Sequence, residues 1–180
     1  MLDVAERLVQ VRGFNGFSYA DIARELGITK ASLHYHFPSK AELGEALIHR
    51  YAGRFCEALI EIDRDIAGPR AKLDAYVAIY SNVLSDGRMC LCGILAAEYA
   101  TLPDPMREAV TQFFAANETW LAAVLSEGQA DGSLAIRGSL VDASEMIVSG
   151  LEGAMPISRT YDEPARFSTA AHGLLDTLTA

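Results

Sequence analysis

The chain has 180 residues, of which 51% are hydrophobic and 22% are charged, and its formal net charge is −9. This hydrophobic content excludes a disordered chain, and no apolar run reaches the roughly 18 residues that a membrane-spanning helix needs. Three cysteines do not form a disulfide framework and no signal peptide opens the sequence, so we expect a cytoplasmic protein.

Helical periodicity starts with the first residues of the chain. Apolar residues at helical spacing predict a first helix from about Leu2 to Arg12, followed by a turn over residues 13–17. Ser18 caps a second helix, and Asp21 three residues later completes a variant of the capping box. Gly27 ends this helix, because glycine adopts a left-handed conformation without a steric penalty.

A third helix follows the second after a very short turn. Thr29 caps it and it runs to about Phe37, with Leu33 facing inward and polar side chains on the other faces. A capping box at Ser39 then opens a fourth helix of about 26 residues. Two short helices around a tight turn predict a helix-turn-helix, since a hairpin buried in a helical domain would not carry so many polar side chains.

The residues of this segment also resemble a known family. Gly13-Phe14, the run from Ser18 to Ala23 and the run from Gly27 to Leu43, which contains Tyr-His-Phe-Pro-Ser-Lys, resemble the DNA-binding domain of the tetracycline-repressor (TetR/AcrR) family. The resemblance covers about the first 48 residues. It implies a DNA-binding domain over residues 1–48 and a helical effector-binding and dimerisation domain over residues 49–180.

The resemblance also implies which side chains contact double-stranded DNA. The third helix would lie in the major groove, with Lys30 and His34 at base edges and Ala31 against a thymine methyl group. The positions that bind phosphates in the family are occupied by Ser32, Tyr35, His36, Lys40 and, on the second helix, Tyr19. Relatives often have tyrosine in place of His34, so their base specificity does not transfer to this chain.

The distribution of charge sets a limit on DNA affinity. Residues 1–50 carry six Lys/Arg and six Asp/Glu, whereas the remaining 130 residues carry nine Lys/Arg and eighteen Asp/Glu. The acidity therefore lies outside the helix-turn-helix domain, and we expect this protein to lack the short basic arm of many relatives. We expect weak binding to random DNA and a reliance on a few well-placed contacts.

The rest of the chain is predicted to be helical throughout. Helices are expected over about 69–86, 91–100, 106–130, 140–154 and 164–178. The missing βαβ alternation excludes an α/β enzyme and favours an all-α protein with an N-terminal three-helix domain and a C-terminal helical domain. Small residues are dense in 140–154, so we expect this helix and 164–178 to form a two-fold, four-helix dimer interface.

Aromatic residues mark the expected C-terminal core. Tyr76, Tyr80, Phe113 and Trp120 fit the walls of a small-molecule cavity, as the family resemblance implies, and fit ordinary packing equally well. Glu98 lies on an apolar helix, where it would meet a cationic ligand or pair with an arginine.

Cys90 and Cys92 form the second segment of interest. The run from Arg88 to Glu98 resembles a branch of the TetR family whose sixth helix begins with Gly-Cys-Leu, some members of which respond to electrophiles or oxidants. Arg88 and a helix N-terminus would lower a thiol pKa. We favour the alternative that Cys90 and Cys92 are small core residues.

The sequence therefore predicts a ligand-responsive, homodimeric repressor that binds a palindromic operator, and not an enzyme. No cofactor is expected, and no metal site, because His34 and His36 point to nearly opposite faces of one helix. Three alternatives remain open: a redox- or electrophile-sensing regulator, a cysteine-dependent redox enzyme that uses Cys90 and Cys92, and an interaction module that binds no DNA and whose helix-turn-helix is vestigial.

Overall fold

The computed structural model describes residues 1–178, which form nine α-helices and one short 3₁₀ helix but no β-strand. The helices are α1 Leu2–Arg12, α2 Tyr19–Leu26, α3 Lys30–His36, α4 Lys40–Asp65, α5 Pro69–Ser85, α6 Leu91–Ala97, the 3₁₀ helix Tyr99–Thr101, α7 Asp104–Asp131, α8 Leu140–Thr160 and α9 Pro164–Asp176. The predicted all-α fold class is confirmed. None of the described helices is long and apolar enough to cross a membrane.

The predicted helix ends in the first part of the chain are confirmed. The amide of Ser18 donates to Asp21 Oδ2 at 2.8 Å, as in a capping box at the start of α2. The Ser18 hydroxyl also donates to the same oxygen at 2.8 Å. Gly27 ends α2 with a left-handed φ of 65°. The hydroxyl of Thr29 accepts a hydrogen bond from the Ser32 amide at 3.2 Å and caps α3. Each cap bonds to groups only three or four residues away in the sequence, so the sequence alone was enough to predict it.

Helix α4 has the predicted length of 26 residues. At the standard rise per residue it is about 39 Å long. The amide of Glu42 donates to Ser39 Oγ at 3.2 Å, and Ser39 Oγ donates to Glu42 Oε1 at 2.9 Å. Its apolar side chains recur every three or four positions and are buried: Leu43, Leu47, Tyr51, Phe55, Leu59 and Ile62.

Several predicted helix ends in the C-terminal part are wrong. Helix α8 does not end at residue 154 but continues through Pro156 to Thr160, because Met155 and Ser158 on either side of the proline are buried against the core. Helix α6 stops at Ala97, and the 3₁₀ helix covers three of the next four residues. Helix α7 begins two residues earlier than predicted, at Asp104, and α9 ends two residues earlier, at Asp176.

The chain divides into two compact units. Unit 1 contains Met1–Arg54 and Arg88–Phe113, and unit 2 contains Phe55–Gly87 and, of the described residues, 114–178. Unit 1 therefore combines α1–α3 and the first part of α4 with α6 and the start of α7. The two units are defined by packing, whereas the predicted boundary between residues 48 and 49 divides the chain by function. That functional boundary stays a prediction.

Candidate nucleic-acid interface and effector region

Helix α3 presents most of its surface to solvent. Its one buried side chain is Leu33, which is 0% exposed and anchors the helix to the core of unit 1. The predicted DNA-contacting residues Lys30, Ala31, His34 and His36 are exposed, Ser32 is half-buried, and Tyr35 is 85% exposed. A large aromatic side chain with that exposure has no role in the core. The geometry leaves the polar face of α3 open to a groove of DNA.

His34 is held in a defined orientation. Its ring lies 4.7 Å from the ring of Tyr19, measured between centroids, and its Nδ1 lies 3.2 Å from the carbonyl oxygen of Pro38. When Nδ1 donates to that carbonyl, Nε2 is left as the acceptor. An oriented side chain reads a base edge with a smaller loss of rotamer freedom than a mobile one.

Tyr19 lies under this surface. It is buried, and its hydroxyl is 2.8 Å from the carbonyl of Phe37 and 2.7 Å from that of Ser39, so it donates to one of them at a time. Burial, followed by the negative charge of Glu42, raises the pKa of the Tyr19 hydroxyl. Tyr19 thus links α2 to the α3–α4 turn by a hydrogen bond. Its predicted contact with a phosphate remains untested.

Lys40, like Tyr19, donates hydrogen bonds to backbone carbonyls. Its Nζ lies 2.5 Å from the carbonyl oxygens of both Phe14 and Phe17, in the turn between α1 and α2. The same amine stands over the two phenyl rings, 4.7 and 4.3 Å from their centroids. Burial lowers the pKa of the Lys40 amine, and the Glu98 and Asp21 carboxylates act in the opposite direction. The predicted phosphate contact of Lys40 is likewise untested.

A shallow groove runs between the start of α2 and α3. It has a volume of about 370 Å³ and is lined by Phe17, Ser18, Tyr19, Ala20, Lys30, His34 and Lys40. The groove brings together four of the residues predicted from the sequence to contact DNA. Ser18 and Ala20 were missed, although the cap position of Ser18 could have indicated that it lies at the edge of the same surface.

The predicted effector residues of unit 2 form an aromatic cluster in which Tyr76 and Tyr80 are buried and Trp120 is half-buried. Tyr76 and Tyr80 are 0% and 2% exposed, and their hydroxyl oxygens are 3.1 Å apart. The Tyr76 hydroxyl also donates to Asn117 Oδ1 at 3.0 Å, and its ring stacks on Trp120 with centroids 5.5 Å apart. Asn117 is 2% exposed and was missed, although an asparagine on the apolar face of α7 is a signal that sequence reasoning could have used. Phe113 belongs to unit 1, where its ring lies 5.7 Å from Tyr51.

Glu98 contacts backbone rather than a cation. Its Oε2 accepts from the Phe14 amide at 2.6 Å, and its Oε1 accepts from the Asn15 amide at 3.3 Å. The partner expected from the sequence was a cationic ligand or an arginine, and the turn between α1 and α2 was missed. Nothing in the sequence indicates a contact across 84 residues.

The three cysteines differ in exposure. Cys90 and Cys92 are 1% and 0% exposed, whereas Cys56 is exposed. The Tyr51 hydroxyl lies 3.6 Å from the sulfur of Cys90. Within residues 1–178 no group of three or more His, Cys, Asp or Glu side chains is placed to hold a metal ion.

Comparison with known proteins agrees with this geometry. The family model for bacterial regulatory proteins of the tetR family matches residues 1–47, and the tetracyclin repressor-like C-terminal domain matches residues 69–174. This chain belongs to the TetR family. It is therefore a transcriptional regulator with a helix-turn-helix DNA-binding domain.

Individual relatives support the same assignment. A TetR-family transcriptional regulator from Agrobacterium tumefaciens is 33% identical, with a TM-score of 0.96 over 99% of this chain and 95% of that one. A TetR regulator from Legionella pneumophila is 31% identical, with a TM-score of 0.86 over the same shares. The HTH-type transcriptional repressor NemR of Escherichia coli K12 is 25% identical over 90% of this chain and 85% of NemR.

Proposed function

We propose that this TetR-family regulator is a repressor that binds a palindromic operator as a homodimer and is released by a small-molecule effector. The observation that carries the proposal is the exposed polar face of α3, with an oriented His34 beside Lys30 above the groove. A repressor of this kind acts where its operator is, so the cytoplasmic location expected from the sequence stays part of the proposal.

Lys30 and His34 are the proposed base contacts. Lysine fits the O6 and N7 acceptors of guanine, and Nε2 of His34 accepts from a neighbouring base when Nδ1 donates. Ala31 contacts a thymine methyl group, and Ser32, Tyr35 and His36 contact phosphates. The two α3 helices of a dimer would read half-sites about one helical turn apart, roughly 10 bp between centres, or somewhat more.

A binding selection on random DNA fragments tests the base contacts. Lys30→Ala should relax base preference at one position in each half-site and cost about 1–3 kcal/mol of operator affinity. Arg64→Ala is the matched control, because it removes one exposed positive charge from unit 2. A selected sequence that is identical for wild type and Lys30→Ala would refute the assignment of Lys30.

The salt dependence of operator binding decides the role of Lys40. As a phosphate contact, Lys40→Ala would flatten the slope of log affinity against log salt by about one unit. As an anchor of the α1–α2 turn, the substitution would weaken binding and leave the slope unchanged. The contacts with Phe14 and Phe17 favour the second outcome.

The proposed dimer interface lies on α8 and α9, over residues 140–154 and 164–178. Ser149, Gly150, Gly153 and Ala154 line a hollow of about 720 Å³ between the two helices. Met146 and Ile157 on the same helix are 43% and 61% exposed, so apolar side chains flank the small ones. The same surface of a second subunit would cover the hollow and the exposed apolar side chains beside it. Ile157 extends the proposed interface beyond residue 154.

Gly153→Leu is the cleaner test of this interface. A Cβ at Gly150 would lie 2.7 Å from Leu174 within the same subunit, whereas one at Gly153 would meet nothing within 4 Å. Gly153→Leu should therefore leave the fold intact, split the dimer in sedimentation experiments and abolish operator binding together. A Gly153→Leu protein that sediments and binds DNA like wild type would place the interface elsewhere.

The proposed effector site is the cluster of Tyr76, Tyr80, Asn117 and Trp120. The two hydroxyls and the amide bond to one another among aromatic rings, so an effector that binds here would replace these hydrogen bonds. A flat, largely apolar molecule with a hydrogen-bonding group fits that requirement. Trp120 is the only tryptophan of the chain, so its fluorescence reports directly on this cluster. A compound that releases operator DNA should change Trp120 emission, and Tyr76→Phe should weaken its binding. Release of DNA with unchanged emission and an unchanged affinity for Tyr76→Phe would refute the site.

Cysteine sensing is the second candidate function, and the burial of Cys90 speaks against it. A sensor thiol has to be reached by its reagent, and Cys90 is 1% exposed beside Tyr51. A maleimide that releases wild type but not Cys90→Ser from DNA would restore this candidate. Retention of both proteins on DNA would leave a non-covalent effector as the signal.

A further inference from the structure

The turn between α1 and α2 is bound from two sides. This α1–α2 turn comprises residues 13–17. On its amide side, Glu98 accepts from the backbone amides of Phe14 and Asn15 through its two different oxygens. The side-chain amide of Asn15 adds a 2.8 Å bond to Thr101 Oγ1 and a 3.4 Å contact with Glu98 Oε1. All of these groups lie in unit 1.

The carbonyl side of the same turn is bound by Lys40. Its amine contacts the carbonyl oxygens of Phe14 and Phe17. A carboxylate on the N–H groups and an ammonium on the C=O groups match the polarity of the backbone, and hydrogen bonds to charged partners are the stronger ones. The turn is thus clamped between the start of α4 and the end of α6.

The Glu98 carboxylate packs so closely against the turn that a side chain at Gly13 would collide with it. Gly13 has a φ of 82°, and a Cβ at this position would lie 2.8 Å from Glu98 Oε1. Glycine is therefore needed both for the backbone conformation and for the approach of the carboxylate. At the other end of α6, the Met89 amide donates to the carbonyl of Gln10 at 3.2 Å, so the segment is bonded to α1 as well.

We propose that Glu98 is a positioning residue for operator recognition, and this inference rests on the proposed function as a DNA-binding regulator. The α1–α2 turn leads directly into Ser18 and the start of α2, so the position of the turn sets the position of α2 and α3. Glu98 belongs to the part of the chain outside the predicted DNA-binding domain. Through Glu98, that part of the chain bonds directly to the turn that positions α2 and α3.

Glu98→Gln separates positioning from simple electrostatics. Glutamine has one side-chain oxygen, so one of the two backbone amides would face an N–H₂ group instead of an acceptor. The substitution also removes a negative charge, which by itself would raise the affinity for every DNA sequence. A fall in operator affinity is therefore opposite in sign to the electrostatic effect.

The experiment measures operator and random-sequence affinity for wild type, Glu98→Gln and Glu108→Gln. Glu108 is an exposed acid on α7 in unit 1 that accepts a hydrogen bond from its near neighbour Gln112, so it is a charge-matched control. We expect Glu98→Gln to lose about tenfold in operator affinity and nothing in random-sequence affinity. Glu108→Gln should keep the wild-type ratio of the two affinities.

Amide hydrogen exchange at Phe14 and Asn15 provides the second measurement. Exchange should accelerate in Glu98→Gln and stay unchanged in Glu108→Gln, in protein that remains folded at the assay temperature. An operator-to-random ratio within twofold of wild type for Glu98→Gln, or an equal loss for Glu108→Gln, would overturn the role of Glu98. A wild-type protein that selects no DNA sequence would instead refute the proposed function.

Discussion

Two glycines on α4 should respond to the same substitution with opposite signs. A Cβ at Gly44 would lie 2.5 Å from both Sδ and Cε of Met106 and 2.9 Å from the ring of Phe14. A Cβ at Gly53 would meet nothing within 4 Å. Both positions lie inside the same helix, so Gly→Ala changes the intrinsic helix propensity equally at the two sites and only the packing differs.

The magnitudes follow from two opposing effects. Replacing glycine by alanine in a helix interior stabilises by about 0.5–1 kcal/mol. Overpacking a filled core costs about 1–3 kcal/mol. We therefore expect Gly53→Ala to raise the free energy of unfolding by about 0.5–1 kcal/mol, and Gly44→Ala to lower it by about 1 kcal/mol, because Met106 is fully buried and has little room to move.

Urea unfolding at one fixed protein concentration measures both effects, since association would otherwise shift the apparent stability. Gly44→Ala should also weaken operator binding, because Phe14 belongs to the turn that precedes α2. A Gly44→Ala protein as stable as Gly53→Ala would show that the core around Met106 adjusts freely, and would refute the packing argument.

Three further predictions concern single residues. Leu33→Ala should cost about 2–5 kcal/mol of stability and abolish operator binding, because Leu33 is the one buried side chain of α3; chemical denaturation and a gel shift check both. Hydrogen bonds from Ser18 lower the pKa of Asp21 to about 2, so the stability that Asp21 contributes should be present above about pH 4 and be lost as the pH falls towards 2. In an acid titration, the difference in stability between wild type and Asp21→Asn should shrink over that range, and a constant difference would contradict it. A thiol reagent should label exposed Cys56 in the folded protein and Cys90 only after unfolding, which mass spectrometry of the labelled peptides decides.

Much of the exposed face of α3 could be predicted because it is built from local signals. The caps at Ser18, Gly27 and Thr29 act on backbone groups only a few residues away, and the family resemblance covers the same segment. The exposure of Lys30 and Tyr35 follows from helical periodicity once Leu33 is assigned to the core. The family followed from this short stretch, and the all-α fold followed from helical periodicity along the rest of the chain.

The long-range partners could not be predicted. Lys40 and Tyr19 have residue types that suit phosphate contacts, yet the structure shows both bound to backbone carbonyls. The partner of Asn117 could not be predicted, because its bond to Tyr76 joins two helices and spans 41 residues of sequence. In each case the sequence shows which groups are available and not which groups meet.

The sequence by itself determined the helices, most of their ends and the family, because hydrogen bonds within a helix and at its caps depend on neighbouring residues. Only the tertiary structure decided that α8 continues through Pro156, that Cys90 is buried beside Tyr51, and that Glu98 holds the α1–α2 turn. These features depend on packing between distant segments, where burial can outweigh a local helix-breaking preference and a carboxylate can find backbone amides 84 residues away.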